Sequence, residues 1–346
     1  MSSPYMERAI ELSRNGFPAP NPHVGCVIVL DGVIAGEGHH EYAGGPHAEI
    51  VALNQAGAKA RGADVFVTLE PCNHLGRTPP CSSALIEAGV KSVTVACSEP
   101  NPKAAGGAET LRSAGIHVES GTMESEARQA NIRFMTAMEQ RRPYVVVKAA
   151  LTLDGRIARA DGSSKWITGD LAREEAHRLR AEMGVVVVGR KTVEMDNPEL
   201  TARIPGVTHQ PLKVILDPHA SLSGNEKVFT GEGLVWRMVA PGNEGASGAF
   251  ACAVDANGNL DVRSLLEILR VRGATGVLVE GGGETIRRFL EAKVVNRIEL
   301  FMAPKLFGEG QLWVGADHSL SLTDLKLEIS QVRALGPDLQ VSVDVS

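Results

Sequence analysis

The residues whose types and spacing could do chemistry are a histidine, a glutamate and two cysteines near the start of the chain. His47 and Glu49 lie in the segment PHAEIVAL, and Cys72 and Cys81 flank the polar segment NHLGRTPP. One imidazole and two thiolates are ligands that zinc prefers, and three protein ligands leave a fourth position on the metal open. An open position is typical of a catalytic zinc site. We therefore predict that His47, Cys72 and Cys81 bind one zinc ion.

Glu49 is placed to carry protons beside this zinc without binding it. His47 is predicted to begin a helix, so that Glu49, two residues later, lies near the open position. Cys72 follows a valine-rich strand and Cys81 follows two prolines, and both thiols are predicted at helix starts, where the helix dipole favours thiolate. A His-x-Glu element followed by Pro-Cys and a second Cys is the pattern of zinc deaminases, in which the glutamate is the general acid and base.

The other cysteines and a nearby histidine leave a second interpretation open. Cys26, Cys97 and Cys252 lie in apolar segments and are interpreted as small buried side chains. A single cysteine or histidine is more often packed or solvated than bound to metal, and only the joint occurrence of three favours a site. A structural zinc is the alternative, and it would require a fourth protein ligand such as His74.

Composition favours a cytoplasmic enzyme of two domains. The chain has 346 residues, of which 43 % are hydrophobic and 22 % charged, and its net charge is −6. This length exceeds one ordinary core, and the acidic balance argues for a small-molecule partner rather than nucleic acid or an anionic membrane. The N-terminal segment predicts a helix rather than a secretory signal, and no segment has the length of a membrane span. Five cysteines are an odd number for a disulfide framework.

Strands and helices alternate in the first part of the chain. Strands rich in valine or isoleucine are predicted at residues 24–30, 65–69 and 90–96. Helices are predicted at 47–58 and 81–88. The alternation indicates an α/β domain built as a three-layer sandwich.

A second α/β domain is predicted after residue 142, where QRRPYVVVKAALTLDG begins a new pattern. The domains are therefore predicted at 1–142 and 143–346. Within the second domain, strands are predicted at 145–149, 185–188, 213–216, 276–280 and 298–303, and helices near 170–183, 261–272 and 283–292. The glycine-rich run 230–259 has too weak a pattern for an assignment.

Nine segments, in order along nearly the whole chain, carry a resemblance to a known family. They are NPHVGCVIV, GGPHAEIVAL, LEPCNHLGRTPPC, PNPKAAGG, KAALTLDGRIA, SSKWITG, TVEMDNPELTAR, VEGGGETIRRF and APKLFG. The chain resembles the bifunctional deaminase/reductases of riboflavin biosynthesis, and the eight residues between Cys72 and Cys81 are the most specific feature. The resemblance implies a cytidine-deaminase-like sandwich followed by a dihydrofolate-reductase-like domain, with zinc in the first and NADPH in the second.

The resemblance also implies two reactions. The first domain would hydrolyse the exocyclic amine of 2,5-diamino-6-ribosylamino-4(3H)-pyrimidinone 5′-phosphate, with zinc on His47, Cys72 and Cys81 and with Glu49 as proton carrier. The second would use NADPH to reduce the ribosyl group of the deaminated product to ribityl. Substrate contacts in the first domain are implied for Asn21, His74 and Arg77. A guanidinium suits a phosphate, although a surface arginine such as Arg77 is equally often just solvated.

In the second domain, VLVEGGGETIRRF predicts a strand, a glycine turn and a helix, whose free backbone amides suit a phosphate. The spacing is not the dinucleotide fingerprint, so this segment alone is weak evidence. The resemblance implies cofactor contacts at Ala150, Trp166, Thr192, Asp196, Gly282 and Gly283. It implies substrate contacts at Ser164, Arg180, Leu200, Arg203 and Glu280, and the two arginines would clamp the 5′-phosphate.

Two residues of the second domain have competing interpretations. Lys148 is predicted to lie near the reacting pyrimidine, but a lysine at a strand end can equally extend its charge into solvent. Trp166 is either a cofactor contact or a core aromatic. Because the cofactor performs the hydride chemistry, no strong acid/base signature is expected here.

Two further functions are open beside the two-step enzyme. A nucleic-acid-editing zinc deaminase with an appended binding domain would share the zinc site, but it predicts a basic face that the acidic chain does not supply. A non-catalytic zinc scaffold would have no use for Glu49. The partners we expect are a small pyrimidine phosphate and further copies of the chain in a homo-oligomer, with neither nucleic acid nor membrane.

Overall fold

The computed structural model describes residues 3–74, 79–164, 166–315 and 325–346. These residues divide between Arg141 and Arg142 into two units, and each unit builds its own sheet and its own apolar core. In the part of the chain so described, no helix combines the length and apolar character needed to cross a membrane.

The first unit alternates strands and helices along the chain. Its elements are α1 (Pro4–Ser13), β1 (Gly25–Leu30), β2 (Val33–His39), α2 (Ala48–Ala56), β3 (Asp64–Leu69), α3 (Cys81–Ala88), β4 (Ser92–Cys97), α4 (Gly107–Ser113), β5 (His117–Ser120), α5 (Glu124–Ala130) and α6 (Ile132–Gln140), with a short 3-10 turn at Gly57–Ala60. The sheet order is β2-β1-β3-β4-β5, in which β1 is antiparallel to both neighbours and the last three strands are parallel.

Glycines on the strands bring helices close to both faces of this sheet. A Cβ on Gly25 would lie 1.9 Å from the carbonyl oxygen of Ala9 in α1, and a Cβ on Gly38 would lie 2.3 Å from the carbonyl oxygen of Ala48 in α2. Gly38 pairs with Cys26, the residue after Gly25, and successive strand residues face opposite sides. Helices α1 and α2 therefore cover opposite faces, which confirms the predicted three-layer sandwich.

All predicted strands and helices of this unit are present, and their predicted bounds differ from the observed ones by no more than two residues. Two strands were missed for physical reasons. Strand β2 has the sequence VIAGEGH, whose glycines and alanine lack the branched side chains typical of strands, and β5 is only four mostly exposed residues long.

The second unit is a larger α/β layer. Its elements are β6 (Tyr144–Thr152), β7 (Arg156–Arg159), α7 (Asp170–Met183), β8 (Val185–Gly189), α8 (Arg190–Asp196), β9 (Leu212–Leu216), α9 (Lys227–Thr230), β10 (Val235–Val239), β11 (Ala249–Ala251), α10 (Val262–Val271), β12 (Gly276–Val279), α11 (Gly283–Glu291), β13 (Arg297–Ala303), β14 (Gly310–Leu312), β15 (Leu327–Leu335) and β16 (Asp338–Val345).

The main sheet of this unit has the order β11-β10-β9-β8-β12-β6-β13-β16-β15. Neighbouring strands are parallel from β11 to β13, and β16 and β15 complete the sheet as an antiparallel hairpin. Parallel strands covered on both faces appear as continuous apolar runs, as in the VVVV of β8. The run 230–259, left unassigned from sequence, contains β10 and β11 at one edge.

Candidate functional site

The first candidate site lies where α2 and α3 begin. His47 is the N-cap of α2, with an extended backbone (φ −71°, ψ 159°). Cys81 is the first residue of α3 and follows Pro80, whose fixed φ suits a helix start. Cys72 lies in the loop after β3, so the prediction that it begins a helix was wrong. Its Pro-Cys pair resembles a helix start locally, but no helix follows it.

The three predicted zinc ligands come together. The Nδ1 atom of His47 lies 3.2 Å from the sulfur of Cys81 and 3.6 Å from the sulfur of Cys72. The three candidate ligand atoms lie within 4.8 Å of one another, and theirs is the one such group of His, Cys, Asp or Glu in the described chain. His74 does not belong to it, so the structural-zinc alternative has no fourth ligand there. This donor set fits a zinc ion with one position open.

The hydrogen bond between the two thiols shifts their pKa values in opposite directions. The hydrogen bond with the Cys81 thiol lowers the pKa of Cys72 to about 4, and His47 and the backbone N–H of Cys81, 3.4 Å from the Cys72 sulfur, favour the same thiolate. The shared hydrogen bond and burial raise the pKa of Cys81. A bound zinc ion would require both sulfurs as thiolates, the metal-binding form.

Glu49, in the first turn of α2, is 3 % exposed. Burial raises the pKa of its carboxyl, and the neighbouring His47 counteracts part of that effect. A raised pKa makes it easier for a carboxyl to hold a proton as well as to release one, as a general acid and base must. Cys26 is fully buried, and both burial and the charge of Glu49 raise the pKa of its thiol. Cys97 and Cys252 are buried too, which confirms their interpretation as packed side chains.

Of the three predicted substrate contacts of the first unit, the structure describes Asn21 and His74. The side-chain amide of Asn21 contacts Nε2 of His40 at 3.0 Å, and Nδ1 of His40 lies 3.0 Å from the carbonyl oxygen of Pro46. Since that oxygen can only accept, Nδ1 of His40 carries the proton and Nε2 accepts from Asn21. The His40 ring also packs edge-on against His47, at 5.3 Å between centroids. His74 is exposed on the ligand loop, and Arg77 lies outside the described residues.

His40 is a site residue that sequence reasoning missed. Burial lowers the pKa of its imidazole, so the ring is neutral at physiological pH. It joins Asn21 to the segment that ends in His47, but its own segment, GHHEYAGG, contains no spacing that would have indicated this role.

A second candidate site centres on Glu280, directly after β12. The side chain of Arg180 in α7 donates to both carboxylate oxygens of Glu280, from Nε at 2.6 Å and from Nη2 at 2.9 Å. Lys148 in β6 lies 3.6 Å from the same carboxylate. A further N–H of Arg180 donates to the carbonyl oxygen of Thr201 at 3.0 Å. The fork of Arg180, predicted to clamp a phosphate, thus holds Glu280 in this structure.

Electrostatics keeps this ion cluster charged. Burial opposes ionisation of Glu280, but the charges of Arg180 and Lys148 lower the pKa of its carboxyl to about 2. Burial lowers the pKa of the Lys148 ammonium, and Glu280 counteracts part of that effect. Glu280 is therefore ionised, and it lies between two basic side chains in a largely buried place. Lys148 is therefore held inside the site and does not extend into solvent.

The predicted cofactor contacts form smaller groups in the second unit. Gly282 is the N-cap of α11, and a Cβ there would lie 3.9 Å from the Thr192 hydroxyl in α8. A Cβ on Gly283 would lie 2.4 Å from the carbonyl oxygen of Leu312, so the backbone passes closely there. The hydroxyl of Ser164 donates to Asp196 at 2.8 Å.

The remaining predicted contacts are distributed around these groups. Trp166 is 67 % exposed, with the guanidinium of Arg173 over its ring at 4.7 Å, so its interpretation as a core aromatic was wrong. Leu200 is buried with a φ of 57°, and Arg203 is exposed and paired with Glu199. Ala150 lies half-buried on β6.

Comparisons with known proteins agree with these two units. Residues 1–97 match the family model of the cytidine and deoxycytidylate deaminase zinc-binding region, and residues 143–341 match that of the RibD C-terminal domain. The riboflavin biosynthesis protein RibD of Aquifex aeolicus is 44 % identical over 344 residues, which cover 97 % of this chain and 96 % of that protein. RibD of Escherichia coli K12 is 37 % identical and covers 97 % of each chain.

Solved structures are similar over the same length. Acinetobacter baumannii RibD, form 1, has a TM-score of 0.89 at 39 % identity, covering 99 % of this chain and 98 % of that one. A Thermotoga maritima diaminohydroxyphosphoribosylaminopyrimidine deaminase/5-amino-6-(5-phosphoribosylamino)uracil reductase has a TM-score of 0.85 at 38 % identity, with the same coverage.

Fold and site together define an enzyme with a zinc-binding deaminase domain followed by a reductase domain. The chain belongs to the RibD family, the bifunctional deaminase/reductases of riboflavin biosynthesis. The alternative of a nucleic-acid-editing deaminase is not favoured.

The geometry of the donor group predicts one zinc ion per chain. Cys72→Ser replaces a thiolate with a hydroxyl that does not ionise, so we expect its zinc content to fall to about a tenth or less, whereas Cys252→Ser, the same change at a buried cysteine of the second unit, keeps about one zinc. Elemental analysis of the purified variants measures this. A tightly bound zinc in Cys72→Ser would contradict the ligand assignment.

Proposed function

We propose that this chain catalyses two successive steps of riboflavin biosynthesis. The first is zinc-dependent hydrolytic deamination of 2,5-diamino-6-ribosylamino-4(3H)-pyrimidinone 5′-phosphate, and the second is NADPH-dependent reduction of the ribosyl group to ribityl. The observation that carries the proposal is the convergence of His47, Cys72 and Cys81 beside the buried carboxyl of Glu49. The full-length likeness to RibD proteins supports the pairing of the two steps.

In the deamination, His47, Cys72 and Cys81 would hold the zinc. When bound, the metal supplies the Lewis acidity that makes water a nucleophile near neutral pH. Glu49 takes a proton from the attacking water, whose oxygen bonds to the ring carbon that carries the amine. Glu49 then gives a proton to the departing nitrogen, the carbon–nitrogen bond breaks, and ammonia leaves. The raised pKa of Glu49 suits both directions of transfer.

In the reduction, bound NADPH would supply a hydride for the sugar carbon of the ring-opened imine, and the imine nitrogen would take up a proton from water. Gly282 and Gly283 begin α11, where backbone amides have no acceptor within the helix, and Thr192 lies beside them, which suits the pyrophosphate of the cofactor. Two basic side chains, Lys148 and Arg180, lie together beside Glu280, which favours a substrate that carries a phosphate. Ser164, Leu200 and Arg203 are proposed as further substrate contacts, and Ala150, Trp166 and Asp196 as further cofactor contacts.

The chain is also proposed to act in the cytoplasm as a homo-oligomer, without nucleic-acid or membrane partners. Exposed apolar side chains on β15 and β16 are the observation that supports the proposed homo-oligomer. Leu327, Ile329 and Val332 of β15 are 57 %, 64 % and 56 % exposed, and Leu339 of β16 is 42 % exposed.

The pairing of the hairpin places these four side chains on one sheet face. On β16, alternate residues from Leu339 to Val345 share a face, and their partners on β15 include Val332, Ile329 and Leu327. The opposite face carries Gln340 and Ser342, which donate to the buried Glu299. An uncharged apolar face on a monomer surface is typical of an interface, and a twofold axis would pair it with itself.

The role of Glu49 predicts separable activities. Glu49→Gln keeps the three zinc ligands and nearly the same volume, but the amide cannot carry the proton, so we expect deamination to fall about 10²- to 10⁴-fold. Ammonia release and NADPH absorbance, followed in one assay, measure the two steps. NADPH oxidation with the deaminated substrate, and the zinc content, should stay at wild-type levels. Wild-type ammonia release would refute the role.

The ion cluster predicts a pH effect on the reductase alone. Burial already lowers the pKa of Lys148, and Glu280 opposes that effect, so Glu280→Gln lowers the pKa of Lys148 further. We expect the alkaline limb of the reductase kcat/KM profile to move to lower pH by about one unit or more, with the rate falling about tenfold or more. Glu267→Gln, at an exposed glutamate in α10, is the control. An unshifted profile in Glu280→Gln would contradict the proposed coupling.

The apolar face predicts a charge-sensitive dimer. Ile329→Lys would bury a charge in each copy of the interface, and we expect a wild-type mass of about 73 kDa, twice 36.7 kDa, to fall to that of the monomer. Light scattering after size exclusion measures the mass. Val271→Lys, at an exposed valine at the end of α10, should keep the wild-type mass. A monomeric wild type, or an unchanged mass in Ile329→Lys, would be inconsistent with this surface.

A further inference from the structure

A carboxylate that neither reaction uses holds two loops of the first unit together. Glu70 directly follows β3 and accepts three backbone hydrogen bonds. Its Oε2 accepts from Glu99 at 3.1 Å, and its Oε1 accepts from Gly106 at 3.1 Å and from Ala108 at 3.0 Å. The donors belong to the loop after β4 and to the first turn of α4. Hydrogen bonds to a carboxylate are the stronger kind, so one side chain ties both ends of that loop to the residue after β3.

Further contacts join the same two segments on either side of Cys72. A Cβ on Gly107 would lie 1.8 Å from the carbonyl oxygen of Pro71, so the two backbones touch before Cys72. After it, the backbone N–H of Asn73 donates to the carbonyl oxygen of Ala104 at 2.9 Å. Residues 70–73 therefore lie along residues 99–108, with Cys72 in the middle.

The third zinc ligand needs such support more than the other two. His47 and Cys81 are placed by the starts of α2 and α3, whereas Cys72 lies in a loop. The position of its sulfur follows the backbone of residues 70–73. The first turn of α3 holds part of that backbone, because the N–H of Ser82 donates to the carbonyl oxygen of Cys72 at 3.3 Å, and Glu70 ties the same segment to residues 99–108. Groups that hold metal ligands in place affect metal affinity although they do not touch the metal.

We propose that Glu70 is a positioning residue of the deaminase site: by clamping residues 99–108 against the Cys72 loop, it fixes the Cys72 sulfur within the three-donor group. This inference rests on the zinc site of the proposed function. Two substitutions weaken the three hydrogen bonds of Glu70 to different extents. Glu70→Gln keeps one acceptor oxygen but turns an N–H group toward one of the three donors, and Glu70→Ala removes all acceptors.

The test measures metal binding of the full-length chain directly. Competition with a chromogenic chelator gives the zinc affinity, and the thiolate-to-metal absorption of the cobalt-substituted protein reports the sulfur geometry. We expect the zinc affinity to fall about tenfold in Glu70→Gln and up to about 100-fold in Glu70→Ala, with a changed cobalt spectrum. Glu87→Gln, at an exposed glutamate on α3, is the matched control and should match wild type.

The second active site of the same chain separates positioning from general unfolding. NADPH oxidation with the deaminated substrate should stay at wild-type level in both Glu70 variants, while the deaminase kcat falls with the zinc affinity. Wild-type zinc affinity and cobalt spectrum in both variants would overturn the proposal. Equal losses of both activities in Glu70→Gln would also overturn it. Failure of the wild type itself to bind zinc or release ammonia would instead refute the proposed function.

Discussion

The first unit depends on one geometric constraint: a nitrogen and two sulfurs from three separate segments must reach a single point. Two of them are placed by helix starts, at His47 and Cys81, where the cap geometry leaves little freedom. The parallel pairing of β3 with β4 brings the loops that follow both strands to the same edge of the sheet. The third donor, on Cys72, takes its place from that pairing of loops. The sheet, the helices and the loops thus together bring the three donor atoms to one place.

The second unit solves a different electrostatic problem. A buried carboxylate is costly alone, but Glu280 is paired with a bidentate guanidinium and an ammonium, which together outweigh its desolvation. The ionised carboxylate is thus held by basic side chains.

The sequence alone predicted those features of the fold and of the site that a local pattern of residue types encodes. The zinc donors are recognisable because residue type and spacing alone restrict the chemistry, and the parallel strands are recognisable from their valine runs. It failed where partners are distant or are backbone atoms. Arg180 and Glu280 are 100 residues apart, and nothing in either segment indicates their pairing. The donors to Glu70 are main-chain amides, which any residue supplies. The hairpin of β15 and β16 was also missed, although its two strands are adjacent in sequence.

The glycines of β1 and β2 have a consequence for engineering. Helices α1 and α2 rest on bare main chain at Gly25 and Gly38, so the spacing of the layers is set by peptide groups rather than by adjustable side chains. A library aimed at altering substrate range should leave both positions unvaried. Substitutions at these two glycines would prevent folding of the variants that carry them, whereas the loops at the edge of the sheet can accept substitutions.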